Sequence, residues 1–283
     1  MRRLLQGGVT LSPPRLILLD AAALLTILVV TLLLQWASGA YSSAFGAEPD
    51  ESSHYVTGVM VRDYIVRGLP GNPVTFAKDF YLHYPRVAFG IWPPLFNVFS
   101  GLWMLPFGTG RISVLFLLAA LTAIWSFIFY KVARPVLGRP GAMVSALLLV
   151  FLPTTQKSTS AVMVEIPVAV MMLLAMGAYA RYLERERTAD AFKFGLYAAV
   201  ALLVKYNAMA LALLPPLCVV ITGRYYLWRS RNFWLPAAVV LLVAGPWYVV
   251  MHRLVLYAAE PGGRAPIGPS IAANAKGIIL IAG

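Results

Sequence analysis

The chain has 283 residues, 60% hydrophobic and 12% charged, with a mean hydropathy of +0.76. A soluble domain carries about 25% charged residues and could not hide this much apolar surface, so composition excludes an ordinary soluble protein and points to lipid as the solvent. The formal charge of +12 would suggest nucleic acid in a soluble chain, but here the cations gather in short loops between apolar runs and set topology instead; the lone Cys218 excludes an internal disulfide.

A basic leader with Arg2, Arg3 and Arg15 precedes the first apolar run, residues 16–37. At about 1.5 Å per residue this run spans the roughly 30 Å of a bilayer core. Asp20, near its basic end, is expected at the interface and paired with Arg15. A long and mostly polar stretch, residues 38–110, follows. Within it residues 51–67 predict an amphipathic helix: Pro49 and Asp50 start it, and Tyr55, Val56, Val59, Met60 and Tyr64 recur at three- and four-residue spacing. Residues 88–107 are apolar but carry Pro93, Pro94 and Pro106, with Trp92 and Trp103, which suits a helix lying at the interface.

Six further spans are predicted at 112–130, 141–155, 166–180, 194–204, 208–222 and 233–251. Three basic loops separate them: Lys131/Arg134/Arg139, Arg181/Arg185/Arg187/Lys193 and Arg224/Arg229/Arg231. Short basic loops stay cytoplasmic. With a cytoplasmic N-terminus, all three fall inside only if residues 88–107 do not cross. The expectation is therefore an all-α polytopic transmembrane bundle forming one domain. It has seven spans and a long first extracytoplasmic loop bearing interfacial helices at about 51–67 and 88–107. The apolar start at Gly277–Gly283 reads as a further span cut short, so the chain reads as the N-terminal part of a longer protein.

The chemistry-bearing residues fall on the outer side of this topology. Asp50 and Glu51 are adjacent carboxylates just past the first span. One could accept a proton from an acceptor hydroxyl, while the other holds a sugar hydroxyl or a metal; a helix start decorated with acids is the structural alternative. Glu165 opens a span before Pro167, as a second acid or a helix-start acid. Arg86, with His83 and Tyr84 before it and Trp92 after it, suits a phosphate beside an aromatic lipid entry, or is a snorkelling cation. Lys205, between two apolar runs, is a second phosphate partner or a turn marker. His54, three residues after Glu51, is close enough to share a divalent metal with it. No phosphate-cradling glycine loop, nucleophile elbow or zinc signature is present.

Taken in order, these features are an acidic pair after the first span, Tyr84-Pro85-Arg86 before Trp92-Pro93-Pro94, Glu165-Ile166-Pro167, Lys205, and Gly245-Pro246-Trp247-Tyr248. From about residue 16 to 252 the chain resembles the GT-C membrane glycosyltransferases of the protein O-mannosyltransferase and aminoarabinose-transferase kind. The resemblance implies a polyprenyl-phosphate-linked sugar as donor and an acceptor hydroxyl on a lipid, glycan or protein. It implies inverting transfer on the outer face of what would be a bacterial inner membrane. It assigns Asp50 as base with Glu51 beside it, Glu165 as a second acid, and Arg86 and Lys205 to the donor phosphate. His54, His83, Tyr84 and Trp92 are left to bind substrate, with no nucleic-acid partner. Two positions depart from the pattern: Tyr206 follows Lys205 where relatives have Gly, and Ile91 precedes Trp92 where they have a charged residue or His. The competing classes are a transporter or lipid-handling protein, which would bury its charges at mid-span, and a polymerase or ligase of lipid-linked glycans.

Overall fold

The computed structural model describes residues 13–45 and 48–258, and every element in it is helical. α1 (Pro13–Ala37) is one continuous apolar helix whose Ile17, Leu18 and Leu33 face outward. The polar stretch that follows holds three helices. α2 (Pro49–Val66) starts on Pro49, with Asp50 and Glu51 in its first turn, where the helix dipole favours negative charge. α3 (Pro73–His83), absent from the sequence expectation, is set by a local signal. Asn72 caps it by accepting the Val74 N–H at 2.8 Å, and Pro73 supplies the first turn. Its Phe76, Ala77 and Phe80 pack against Met60 and Val87.

The expected helix over 88–107 begins only at Leu95. α4 (Leu95–Phe107) follows Pro93-Pro94, and the residue before a proline is driven out of the helical region, so residues 88–94 run as an irregular stretch. α4 lies directly on α2. A Cβ on Gly101 would sit 2.8 Å from the Gly58 carbonyl oxygen, so the two helices touch backbone to backbone.

α5 (Arg111–Phe151) merges the two predicted spans 112–130 and 141–155 into one helical run broken at Gly138, which sits at φ 68°, ψ 179°. The run folds back there. Ser126 Oγ donates to the Ala146 carbonyl at 2.7 Å, although twenty residues of straight helix would separate them by about 30 Å. Both arms pack with α1 through Ala23, Ile27, Ala123, Tyr130, Ala142, Ala146 and Val150. After the short α6 (Pro153–Thr159) come α7 (Glu165–Arg185) and α8 (Thr188–Val204). Next, a 3-10 turn at Tyr206–Leu213 leads into α9 (Leu214–Thr222). A second 3-10 turn at Tyr225–Arg229 leads into α10 (Arg231–Val243). The predicted span 233–251 is bent by 41° between α10 and α11 (Gly245–Ala258). The main core joins α4, α5, α7 and α8 around Leu118, Val168, Tyr179 and Phe194.

Among the described residues α1, α5 and α7 are each long and apolar enough to cross a membrane, and α10 with α11 passes as a bent pair. The apolar run at Gly277–Gly283 lies outside the described residues.

Polar contacts mark two opposite ends of the bundle. At the basic end Asp20 binds Lys131 at 2.6 Å and Arg134 at 2.7 Å. This corrects the expected pairing with Arg15. Residues five apart point about 140° away from each other around a helix, so Asp20 turns toward α5 while Arg15 stays exposed. The same end holds the turn between α7 and α8, tied down by the Arg224–Leu183 and Tyr226–Glu186 contacts. At the other end of α1, Gln35 donates to the carbonyls of Leu115 at 3.1 Å and Thr159 at 2.6 Å, and accepts from Tyr41 at 2.6 Å. This second end carries α2, α3, α4 and α6.

Candidate active site

Four acids come together at this second end, and their surroundings differ. Glu51 is 1% exposed. Its Oε1 accepts from Arg111 Nε at 2.9 Å and Nη2 at 2.8 Å, and from the Val162 backbone N–H at 3.0 Å. Arg111 also donates to the carbonyls of Ala40 at 2.6 Å, Ser43 at 3.2 Å and Ser160 at 3.2 Å, and lies over the Phe45 ring. This fork of donors binds the start of α2 to the end of α1, the start of α5 and the approach to α7. Glu51 is thus a buried anchor whose charge Arg111 matches.

Glu165, at the start of α7, receives Lys205 Nζ at 2.5 Å. Glu48, just before α2, receives Lys157 Nζ at 2.5 Å. That bond holds the exposed Lys157 ammonium in its charged form beyond the ordinary lysine range. Asp50, half-buried, has no hydrogen bond or ion pair to any described residue. Three of the four carboxylates therefore have a cation and the fourth has none.

His54 lies one turn after Asp50 and is 2% exposed. Its ring centroid is 5.2 Å from that of Trp92 and 5.8 Å from that of Phe96. Burial pushes the imidazole below its ordinary value of 6.5. Asn97, Asp50 and Glu165 oppose that push and Lys205 adds to it. The charges of Asp50, Glu165 and Lys205 are thus felt at one imidazole, which the Trp92 ring flanks. Asn97 is the hydrogen-bonding neighbour of the imidazole, and neither His54 Nδ1 nor Asn97 Oδ1 has any closer partner.

The other sequence candidates sit further out. His83, Tyr84 and Arg86 are exposed on the connection from α3 to α4. His83 Nδ1 is 3.0 Å from the Asp79 carbonyl, and the Tyr84 ring packs on Phe80. Arg86 forms no ion pair with a described residue, and its guanidinium is not among the groups acting on His54. The backbone two residues on is anchored near the site, however, because Ala88 N–H donates to Thr57 Oγ1 at 3.0 Å, one turn beyond His54. α11 closes over the same region: Trp247 meets Phe89 edge-on, and Tyr248 donates to the Leu202 carbonyl at 2.7 Å. A metal shared by Glu51 and His54, which their spacing allows, does not fit this donor set. Arg111 occupies Glu51, and the described residues gather no group of three metal-binding side chains.

Sequence reasoning missed Arg111, Glu48, Lys157 and Asn97. Arg111 had a signal, as a lone cation opening an otherwise uncharged apolar run on the outer side of the predicted topology. Lys157 had the same signal as a lone cation outside the three basic loops. Asn97 had none, because its role comes from α4 crossing α2.

The model of the family described as dolichyl-phosphate-mannose-protein mannosyltransferase matches residues 92–249, more than half of the chain. No curated protein and no solved structure gives a significant match. The matched stretch begins at the Trp92 that walls His54, takes in Glu165 and Lys205, and ends one residue past Tyr248. An all-helical bundle with membrane-length apolar helices and this matched stretch places the chain in the dolichyl-phosphate-mannose-protein mannosyltransferase family, as a membrane glycosyltransferase of the GT-C kind.

Proposed function

We propose that this glycosyltransferase moves a sugar, mannose by the family's name, from a polyprenyl-phosphate carrier to an acceptor hydroxyl, with Asp50 as the base. The observation that carries the reading is the contrast among the four acids. Glu48, Glu51 and Glu165 each hold a cation, whereas the Asp50 carboxylate is left open to a substrate proton. The acceptor oxygen gives its proton to Asp50 and attacks the anomeric carbon. The bond from that carbon to the phosphate oxygen breaks, and the lipid phosphate leaves from the opposite face with inversion. Lys205 meets the departing phosphate by exchanging Glu165 for a phosphate oxygen, and Arg86 reaches it from the rim. Glu165 holds Lys205 in place until the donor arrives. Trp92, His83 and Tyr84 line the approach of the sugar and its lipid.

The acidic end is extracytoplasmic in this reading. Lys131, Arg134, Arg181, Arg185 and Arg224 then lie on the cytoplasmic side with the N-terminus, as positive charge in short loops favours. The chain crosses seven times: α1, the two arms of α5, α7, α8, the 3-10 turn with α9, and α10 continued by α11.

The test is Asp50→Asn in membranes supplied with radiolabelled polyprenyl-phosphate mannose. A general base is worth roughly a hundredfold or more. The variant should insert normally and lose transfer by that factor; retained turnover would refute the assignment.

A further inference from the structure

At the basic end, away from the acids, two arginines flank an aromatic-walled opening. Arg229 closes the second 3-10 turn and Arg231 starts α10. Both are exposed, and neither forms a hydrogen bond or ion pair with a described residue. Other cations at this end are held: Asp20 matches Lys131 and Arg134, and the Leu183 carbonyl takes Arg224. Arg229 and Arg231 line an open groove of about 370 Å³ together with Trp228 and Trp234. The same two indoles line a second cavity, of about 490 Å³, between α8, α9 and α10. Phe194, Ala198 and Leu202 face it at four-residue steps along α8, and Phe233, Ala237 and Leu241 do so along α10. Those steps cover about 12 Å of helix, and no charged side chain lines the cavity. Met209 and Leu241 in its wall are exposed, so it opens sideways, toward lipid.

We propose that this end binds one anionic phospholipid, with its phosphate between Arg229 and Arg231 and one acyl chain in the cavity. Each feature matches a different part of the lipid. Guanidinium forks suit phosphate oxygens, indoles settle at the headgroup boundary, and basic pockets between membrane helices favour anionic headgroups. Trp234 Nε1 donates to the Trp228 carbonyl at 3.0 Å, whereas Trp228 Nε1 has no acceptor among the described residues and faces the ester and glycerol oxygens. A chain in the cavity gives its walls the dispersion contacts that a void forfeits. Positive charge in a short loop also sets topology, but topology alone does not call for a cavity behind the cations. The donor's polyprenyl tail is the competing occupant. Lys205 does not line the cavity, and the cations that share its indole wall stand at the end away from Asp50 and Glu165, which favours a lipid anchored from the basic end. In the topology proposed above this is the cytoplasmic leaflet; the inference is independent of the role given to Asp50.

The test is tryptophan quenching of the full chain in phosphatidylcholine nanodiscs. One series receives rising fractions of phosphatidylglycerol with brominated acyl chains, and a parallel series receives brominated phosphatidylcholine. Each cation beside an anionic lipid is worth roughly fivefold in affinity. The anionic lipid should therefore quench in excess of the zwitterionic one, with apparent binding roughly tenfold tighter. Arg229→Gln/Arg231→Gln should remove the excess. Ala198→Phe fills the cavity, leaves both arginines in place and should remove it too. Ala237→Phe, on the exposed wall, replaces Ala198→Phe if melting curves show that variant to be unfolded. Equal quenching by the two lipids overturns the proposal, as does an excess that survives the arginine substitutions or a folded cavity-filling variant. Displacement of the excess by an equal fraction of neutral polyprenol also overturns it and assigns the cavity to an isoprenoid chain.

Discussion

Arg111→Met should destabilise the protein more than any other single change at the acidic end. The substitution keeps the length and apolar stem of the side chain but deletes the guanidinium. Glu51, 1% exposed, is left with only the Val162 N–H, and the carbonyls of Ala40, Ser43 and Ser160 lose their donor. Removing one partner of a buried pair costs about 3–5 kcal/mol, because the other charge stays desolvated. The three carbonyls lie at a partly exposed site and add less. For a chain of this size about 4 kcal/mol corresponds to a melting point lower by roughly 10 °C. Thermal unfolding of the detergent-purified protein measures it. The double variant Glu51→Gln/Arg111→Met should be closer to wild type than the sum of its parts, since the stranded charge is gone. A melting point within about 2 °C of wild type for Arg111→Met, or strictly additive single and double variants, would refute the account of Arg111 as an electrostatic clamp.

Acidification should weaken the fold through His54. Its pKa lies below 6.5 in the folded state, so between the two values the unfolded chain binds more protons. Stability is therefore full above pH 6.5 and declines as pH falls through the folded value; melting curves from pH 7.5 down should show the decline, and His54→Phe should reduce it. Gly101→Val should cost about 1–3 kcal/mol by overpacking, because the new side chain meets the Gly58 carbonyl and the Val61 side chain at the crossing of α2 and α4; lowered thermal stability checks it. Lys205→Met should raise KM for the lipid-phosphate donor several-fold, as expected for a lost charge-assisted contact, measured at fixed acceptor. Asp20→Asn should shift stability by less than about 1 kcal/mol, because its pairs with Lys131 and Arg134 are partly exposed at the surface.

The apolar runs determined the all-helical membrane class without any coordinates. Burying an uncharged run of membrane length has few solutions, and each run carries its own signal. Asp50, Glu165, Lys205 and Trp92 were legible as candidates because a charge or a Trp-Pro-Pro beside an apolar run stands out locally. Pairing was not legible. Which acid keeps a free carboxylate depends on Arg111 reaching sixty residues back to Glu51, on Lys205 meeting Glu165 across α7 and α8, and on α4 laying Phe96 and Asn97 against His54. Those contacts follow from helix crossings such as Gly58 on Gly101 and from the reversal at Gly138. Local periodicity reports which face of a helix is apolar; only three-dimensional packing selects the face it meets, and with it the partner of every charge.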